Sequence, residues 1–446
     1  MVKVANFELE YFYLFKSKFA TFTRLMQNIQ KYNGFDLLIM GISVLIAFFL
    51  PVNQKIVIYL IAALTVVCVI SWIKNGVRKL SKEMWPFIIL FGFYSIGLIF
   101  TTNFEYGFKD IETRLTFLLF PLLFGLTKRS GPINIKPVIY GLVLGCVVAV
   151  VLCYFNALVC FVNKGYVECF EGVRLANNIH PTYLALYFIS AATFCVISIS
   201  SGKTSLLTRV YAICLVILFL HMVYRLYSLG PWIGLVGMLV TLLYAFLYFR
   251  KRQKLFIIGV VVFMLVAFIA VLKLDFIRSD YQKVSKELSL YFDNPEEYLE
   301  ANQNDTQSIN ARIIIWSTSI SLIKKHPFGV GTGDGKDKLL SYYESKGMQV
   351  YAERKLNPHS QYLQTAISIG IAGMVFLITT FGYYIRMGLK NKNYYLIALV
   401  SLFAVACLFE SVLERQWGIV FFMFFLSLLL TQSKDDLIPY QEQSTK

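Results

Sequence analysis

The sequence predicts an all-α, polytopic membrane protein, and three observations carry that expectation. Of its 446 residues, 57% are hydrophobic and only 15% are charged, a balance that soluble domains rarely show. Apolar runs of about 18–22 residues recur, each long enough as a helix to cross a hydrocarbon core of roughly 30 Å. The alternating segments of about ten residues that build membrane β-barrels are missing. With no water in the bilayer, backbone polar groups must pair internally, which leaves a helical bundle.

About twelve spans are expected: 36–51, 56–73, 85–102, 112–127, 137–161, 179–200, 207–227, 230–249, 254–273, 360–385, 394–409 and 416–432. Residues 1–35 mix Phe, Tyr and Leu with lysines, without an uninterrupted apolar core. They read as an interfacial amphipathic segment and not as a cleaved signal. Nine spans fill 36–273. An extramembrane segment follows at 274–359, then three spans over 360–432 and a tail at 433–446.

Loop charge sets the orientation. Lys3, Lys16, Lys18, Arg24 and Lys31 precede the first span. Lys74, Arg78, Lys79 and Lys82 fill the second connection, and Lys128, Arg129 and Lys136 the fourth. Lys203 and Arg209 lie in the sixth, Arg250, Lys251, Arg252 and Lys254 in the eighth, and Arg386, Lys390 and Lys392 in the tenth. Every second connection is basic, which puts both termini in the cytoplasm and the 274–359 segment outside. The net charge of +16 then reflects anchors facing anionic lipid. No basic extramembrane domain exists to suggest nucleic-acid binding. Eight cysteines are scattered without a Cys-x-x-Cys pair or a Cys/His spacing suited to zinc, so neither a metal nor a cofactor is expected. Cys160 and Cys169 bracket an outward turn and are candidates for a disulfide.

Within the outer segment, Ser308 to His326 reads as a helix with Ser308 as N-cap. Ile309, Ile313, Trp316, Ile320 and Ile323 fall at steps of four, three, four and three, one apolar stripe facing the membrane or the bundle's mouth. His326-Pro327 ends it, and the glycines from Gly329 to Gly335 form a tight turn. A short helix near Lys336 to Lys346 leads back to the membrane.

Several polar residues are candidates for chemistry. Arg312 lies at the stripe's edge in the first turn of its helix, where a cation opposes the helix dipole. An anion such as phosphate or pyrophosphate would suit that place, held by free N–H groups and the guanidinium together. An interfacial arginine touching lipid phosphates is the plainer explanation. His359 opens the tenth span in Asn357-Pro358-His359-Ser360-Gln361-Tyr362-Leu363-Gln364. Its neutral imidazole could accept a proton from a hydroxyl; capping a helix is the plainer role. His180-Pro181-Thr182-Tyr183-Leu184 repeats the H-x-x-Y-L pattern at the start of another outer span. Arg225 and Arg114 lie at outer ends of spans, where ionisable groups usually face a cavity or a partner. Glu410, Glu414 and Arg415 cluster in the last outer turn, where the glutamates could meet these arginines. His221 and His326 read as structural, and Gly141-x-x-x-Gly145 as a helix-packing feature.

Together these motifs resemble the O-antigen ligase and polymerase superfamily. The resemblance is carried by Arg312-Ile-Ile-Ile-Trp316, Pro327-Phe-Gly-Val-Gly-Thr-Gly333, His359-Ser-Gln-Tyr-Leu-Gln364 and Gly370-x-x-Gly373. His180-Pro-Thr-Tyr-Leu and Glu410-x-x-x-Glu414-x-Gln416-x-Gly418 add to it. It implies a twelve-span, metal-independent glycosyltransferase at the outer face of the bacterial inner membrane. Such enzymes move a glycan from undecaprenyl diphosphate to an acceptor hydroxyl: a lipid A-core sugar for a ligase, a lipid-linked repeat for a polymerase, a protein for a third relative. By resemblance His359 is the base and Arg312 a pyrophosphate ligand, with His180, Tyr362 and Gln364 lining the substrate site. One position departs from the pattern. Where the family carries a second arginine, this chain has Leu229, in Ser228-Leu229-Gly230. Arg225, one turn earlier on the same face, is expected to replace it, with Arg114 or Arg174 next in line. A ligase is preferred to a polymerase. A non-enzymatic transporter of lipid-linked glycans is the reading from another class.

Overall fold

A computed structural model describes residues 33–129, 134–176, 179–200, 204–251, 258, 275–303 and 308–432. The expected N-terminal segment, most of the 254–273 span, the polar break near 304–307 and the C-terminal tail lie outside them, as does the side chain of Ser308. The described residues are helical, with a single isolated bridge between Val77 and Thr127 in place of any strand.

The bundle is built from α1 (Gly34–Phe49), α2 (Gln54–Asn75), α3 (Trp85–Gly97), α4 (Phe104–Arg114), α5 (Thr116–Leu126), α6 (Ile135–Lys164), α7 (Pro181–Ser200), α8 (Leu206–Arg225) and α9 (Leu229–Phe249). The outer segment contributes α10 (Asp275–Asp293), α11 (Pro295–Ala301), α12 (Ser308–Lys325), α13 (Gly335–Ser345) and α14 (Gln349–Glu353). The chain then returns through α15 (Gln361–Asn391), α16 (Tyr394–Phe409) and α17 (Gln416–Leu430). Asparagines start many of these helices. The side chains of Asn33, Asn53, Asn134 and Asn393 each accept a first-turn N–H, the usual relief for donors that lack an intrahelical partner.

Among the described residues seven helices are long and apolar enough to cross a membrane: α2, α3 with its flanking 3-10 turns, α6, α7, α8, α9 and α15. Helices α1, α16 and α17 are apolar but shorter. The expected span at 112–127 is instead two helices, α4 and α5, meeting at Leu115. The reason is Arg114, whose buried charge is held among acidic partners at the break.

Helix α17 is the centre of the bundle, buried from Gly418 to Leu429. A helix apolar on every side belongs inside other helices. Its Phe422 meets Phe87 of α3 and Phe381 of α15 edge-on, while Phe87 stacks on Tyr384. Helices α8 and α9 leave most of their apolar surface outward, as lipid-facing helices do. Gly141 and Gly145 let α6 press onto α1, since a Cβ at either would strike the Val44 or Phe48 carbonyl.

The outer segment has a core of its own, in which Tyr298, Ile314, Ile315, Leu322, Leu339, Tyr343 and Tyr351 pack around Ala366 and Ile367 of α15. The expected stripe on α12 holds in part. Ile323 is buried in this core and Ile313 and Trp316 pack against it, but the line of burial also takes in Ala311, Ile314, Ile315, Thr318 and Leu322, and Ile320 is 44% exposed. Trp316 also meets Phe409 at the end of α16. Helix α12 lies between two surfaces, so its apolar residues serve both.

The glycine-rich turn is stitched into a break in α15 at Ile369 and Gly370. Val330 and Gly331 donate N–H bonds to the Ile367 and Ser368 carbonyls, at 2.8 and 3.1 Å, and Ile371 N–H returns one to Pro327 at 2.9 Å. Backbones this close leave no space for side chains. A Cβ on Gly329 would come within 2.6 Å of Gly370 N, and one on Gly370 within 2.6 Å of the Phe328 carbonyl carbon. Both residues have positive φ, which glycine adopts freely.

Candidate functional site

The connections that lack basic runs converge at one end of the bundle. Glu171 pairs with Arg225 at 3.1 Å, Thr182 bonds Ser228 at 2.9 Å, and the Asp334 carboxylate accepts N–H bonds from Thr102 and Asn103 at 2.8 Å. The candidate pair Cys160 and Cys169 is joined in a disulfide, at this end too. At the other end Arg78 and Arg129 donate to the last carbonyls of α5, the favourable place for cations on a helix.

His359 stands where the outer segment turns into α15. Asn357 Oδ1 accepts its N–H at 3.1 Å, and its φ is +44°. A left-handed conformation is uncommon outside glycine and collects at functional sites. It turns the ring off the helix toward the 410–415 turn, where Nδ1 lies 3.4 Å from Glu410 Oε2. Burial by itself would raise the Glu410 carboxyl, yet the hydrogen bond and charge of His359, with the charge of His180, hold it below its ordinary value. An ionised carboxylate only accepts, so Nδ1–H is the donor in this pair, and Nε2 is the nitrogen that points away from Glu410.

Arg312 is half-buried with its guanidinium 5.9 Å from the centre of the Phe409 ring, beside Glu410. Burial lowers its pKa and Glu410 partly offsets that. It makes neither an ion pair nor a hydrogen bond among the described residues. His180 completes this face, its ring edge-on to Tyr183. Burial lowers its pKa, and Arg415 and His359 lower it further against the opposing charge of Glu410. Gly230 backs onto Phe409 and Glu410, so the position of Leu229, where the family arginine is missing, borders the same place.

The other expected ligands are placed differently. Arg114 is only 1% exposed, paired with Glu414 and with Asp110 at 3.1 Å, and stacked 4.1 Å over the Tyr94 ring. Burial pushes the Asp110 carboxyl up, against the pull of Arg114. The expected meeting of a glutamate with Arg114 therefore holds for Glu414, while Glu410 takes a histidine. Arg225, expected to fill in for the absent arginine, is occupied by Glu171 and by the Phe170 carbonyl. Tyr362 gives its hydroxyl to the Ala404 carbonyl at 2.7 Å, which makes it a tie between α15 and α16. Gln364 lines a polar chamber of about 340 Å³ beside the 357–358 turn.

Two contributors escape sequence reasoning. Gln361 reads as one polar residue in a helix start, yet it accepts the Leu413 N–H and donates to Glu414, fixing the 410–415 turn against α15. Asp334 belongs to the glycine-rich motif but is the clamp that joins that motif to the α3–α4 turn. Behind the clamp an apolar groove of about 490 Å³ runs between Phe93, Ile96, Phe100, Phe328 and Ile369, with Phe328 92% exposed.

Comparison with known proteins locates the resemblance along the chain. Residues 214–378, which contain Arg312, the glycine-rich turn and His359, match the family described as O-Antigen ligase. A Rickettsia conorii protein named "Putative polysaccharide ligase" is 23% identical over 362 residues, covering 75% of this chain and 79% of that protein. A Haemophilus influenzae protein without a functional name is 25% identical over 314 residues, 69% of this chain and 73% of its own length. The resemblance to the O-antigen ligase and polymerase superfamily therefore stands, with residues 214–378 as the part of the chain that carries it.

Proposed function

We propose that the protein is a ligase-type glycosyltransferase that moves a polysaccharide from undecaprenyl diphosphate to a sugar hydroxyl of lipid A-core. In this reading the site end faces the periplasm, with both termini in the cytoplasm. The observation that carries the reading is Arg312, half-buried by the Phe409 ring and, among the described residues, without an ion pair or hydrogen bond, beside the His359–Glu410 pair.

The chemistry follows from those groups. The acceptor hydroxyl gives its proton to Nε2 of His359 as its oxygen attacks the anomeric carbon. The bond from that carbon to the diphosphate oxygen breaks, and the diphosphate leaves with the electron pair. Arg312 meets the charge that grows on it, so it stabilises the transition state more than the ground state. Glu410 holds the ring and steadies the imidazolium. The apolar groove beside Phe328 suits a prenyl chain. Orientation is supported by the alternation of basic connections and by the disulfide at the site end, since such bonds persist outside the reducing cytoplasm. A transporter would need polar or unwound helices open at mid-bilayer. The break in α15 is filled by the glycine-rich turn, which favours chemistry over passage.

A deletion strain complemented with wild type or His359→Ala, read by lipopolysaccharide gel, tests this. Wild type restores the ladder on core, and His359→Ala leaves core alone while long lipid-linked chains accumulate. Core bearing one repeat would mean a polymerase. A normal ladder from His359→Ala would reject the site.

A further inference from the structure

We infer that the polar chamber beside the 357–358 turn is a second subsite, which takes an anionic sugar, phosphorylated or carboxylated, as part of the acceptor. This deepens the transferase reading and rests on it. The 410–415 turn has two sides. Glu410 faces His359, His180 and Arg312, while Glu414 and Arg415 border the chamber.

A transferase must hold two substrates at one reacting centre, and the chamber adjoins His359 directly through Asn357 and Pro358. Its volume of about 340 Å³ lies in the range of small-ligand sites. Lys336, Lys355 and Arg415 line it. The side chains of Lys355 and Arg415 are exposed and make neither an ion pair nor a hydrogen bond among the described residues, and that of Lys336 has the Tyr106 hydroxyl at 2.8 Å and its ring. Arg114 offsets only one of the two carboxylates on the wall, Glu414 and Asp110, so the three cations still outweigh the remaining negative charge. The wall is therefore positive where it meets a ligand. The amides of Asn357 and Gln364 and the carboxylate edges supply partners for hydroxyl groups. Positive charge with amide and carboxylate edges is what an acidic saccharide needs, more than a bare anion does.

The full chain in zwitterionic-lipid nanodiscs, titrated calorimetrically with glucose 6-phosphate, glucose and inorganic phosphate, tests the inference. Wild type should bind glucose 6-phosphate at least tenfold more tightly than glucose or phosphate. Lys336→Gln/Lys355→Gln should weaken that binding tenfold or more, Lys336→Arg/Lys355→Arg should keep it, and Arg312→Gln should change it less than threefold. Unchanged binding in the glutamine pair overturns the subsite. Loss in Arg312→Gln alone overturns it too, by placing the anion on the other side of the turn. Phosphate binding as tightly as the sugar phosphate overturns the saccharide assignment, and displacement by phosphatidylglycerol discs would assign the chamber to lipid headgroups. No transfer is measured, so failure here leaves the His359→Ala result standing.

Discussion

The two sides of the 410–415 turn use similar residues to opposite ends. On the Glu414 side, Arg114 is buried and fully engaged by two carboxylates, an aromatic face and a carbonyl. On the Glu410 side, Arg312 is half-buried by the Phe409 ring and, among the described residues, makes neither an ion pair nor a hydrogen bond. The first arrangement is complete as it stands. The second has capacity left for a further anion at the guanidinium and a proton at the histidine ring, which in the proposed reaction a diphosphate-linked donor and a hydroxylated acceptor would bring. What surrounds a cation says more about its role than its presence does.

Substitutions sharpen that contrast, beginning with the closed side. Arg114→Ala leaves the partly buried Glu414 and Asp110 beside each other without their counter-ion and should cost about 3 kcal/mol. Its measure is a fall in folded protein by fluorescence-detected size exclusion. Glu414→Gln should reproduce much of it. If Arg114→Ala instead folds normally and only transfer is lost, the arginine belongs to the site after all.

Asp334→Asn should cost less, about 1–3 kcal/mol, because the amide keeps one acceptor oxygen for the Thr102 and Asn103 N–H groups. The expected signature is faster proteolysis of the 275–360 segment. Burial by itself would raise the Asp334 carboxyl, but the Asn103 and Thr102 hydrogen bonds hold it below its ordinary value of 3.8. Its contribution is therefore complete above that value and is lost as pH falls through the lower folded value. Wild-type protease resistance should stay flat from about pH 5 upward and weaken only in stronger acid.

Arg225→Ala should have the smallest effect. Its ion pair with Glu171 is partly exposed, and such pairs contribute about 0–1 kcal/mol. Transfer in membrane vesicles should stay within about threefold of wild type. A loss beyond tenfold would return Arg225 to the role that its place one turn before Leu229 first suggests.

Much of this arrangement is legible in the sequence, for identifiable reasons. Long apolar runs and alternating basic connections mark the bundle, because a bilayer allows few alternatives. The helix from Ser308 and the turn after Pro327 follow from periodicity and from glycine. His359 and Arg312 stand out through their motifs. What stays hidden depends on distant contacts. Glu410 lies 51 residues from His359, and no local pattern ties them. The break at Gly370 sits in an unbroken apolar run, where glycine more often serves packing. Arg114 looks the same in sequence whether it awaits a ligand or is locked among carboxylates.

The most direct test is the release of lipid diphosphate from a labelled undecaprenyl diphosphate glycan in vesicles carrying Arg312→Ala, at matched levels of folded protein. The account predicts a fall of about 10²–10³, the usual loss when one charge-stabilising donor is removed, with unchanged thermal stability. Release within threefold of wild type would contradict it and leave Arg312 an interfacial arginine.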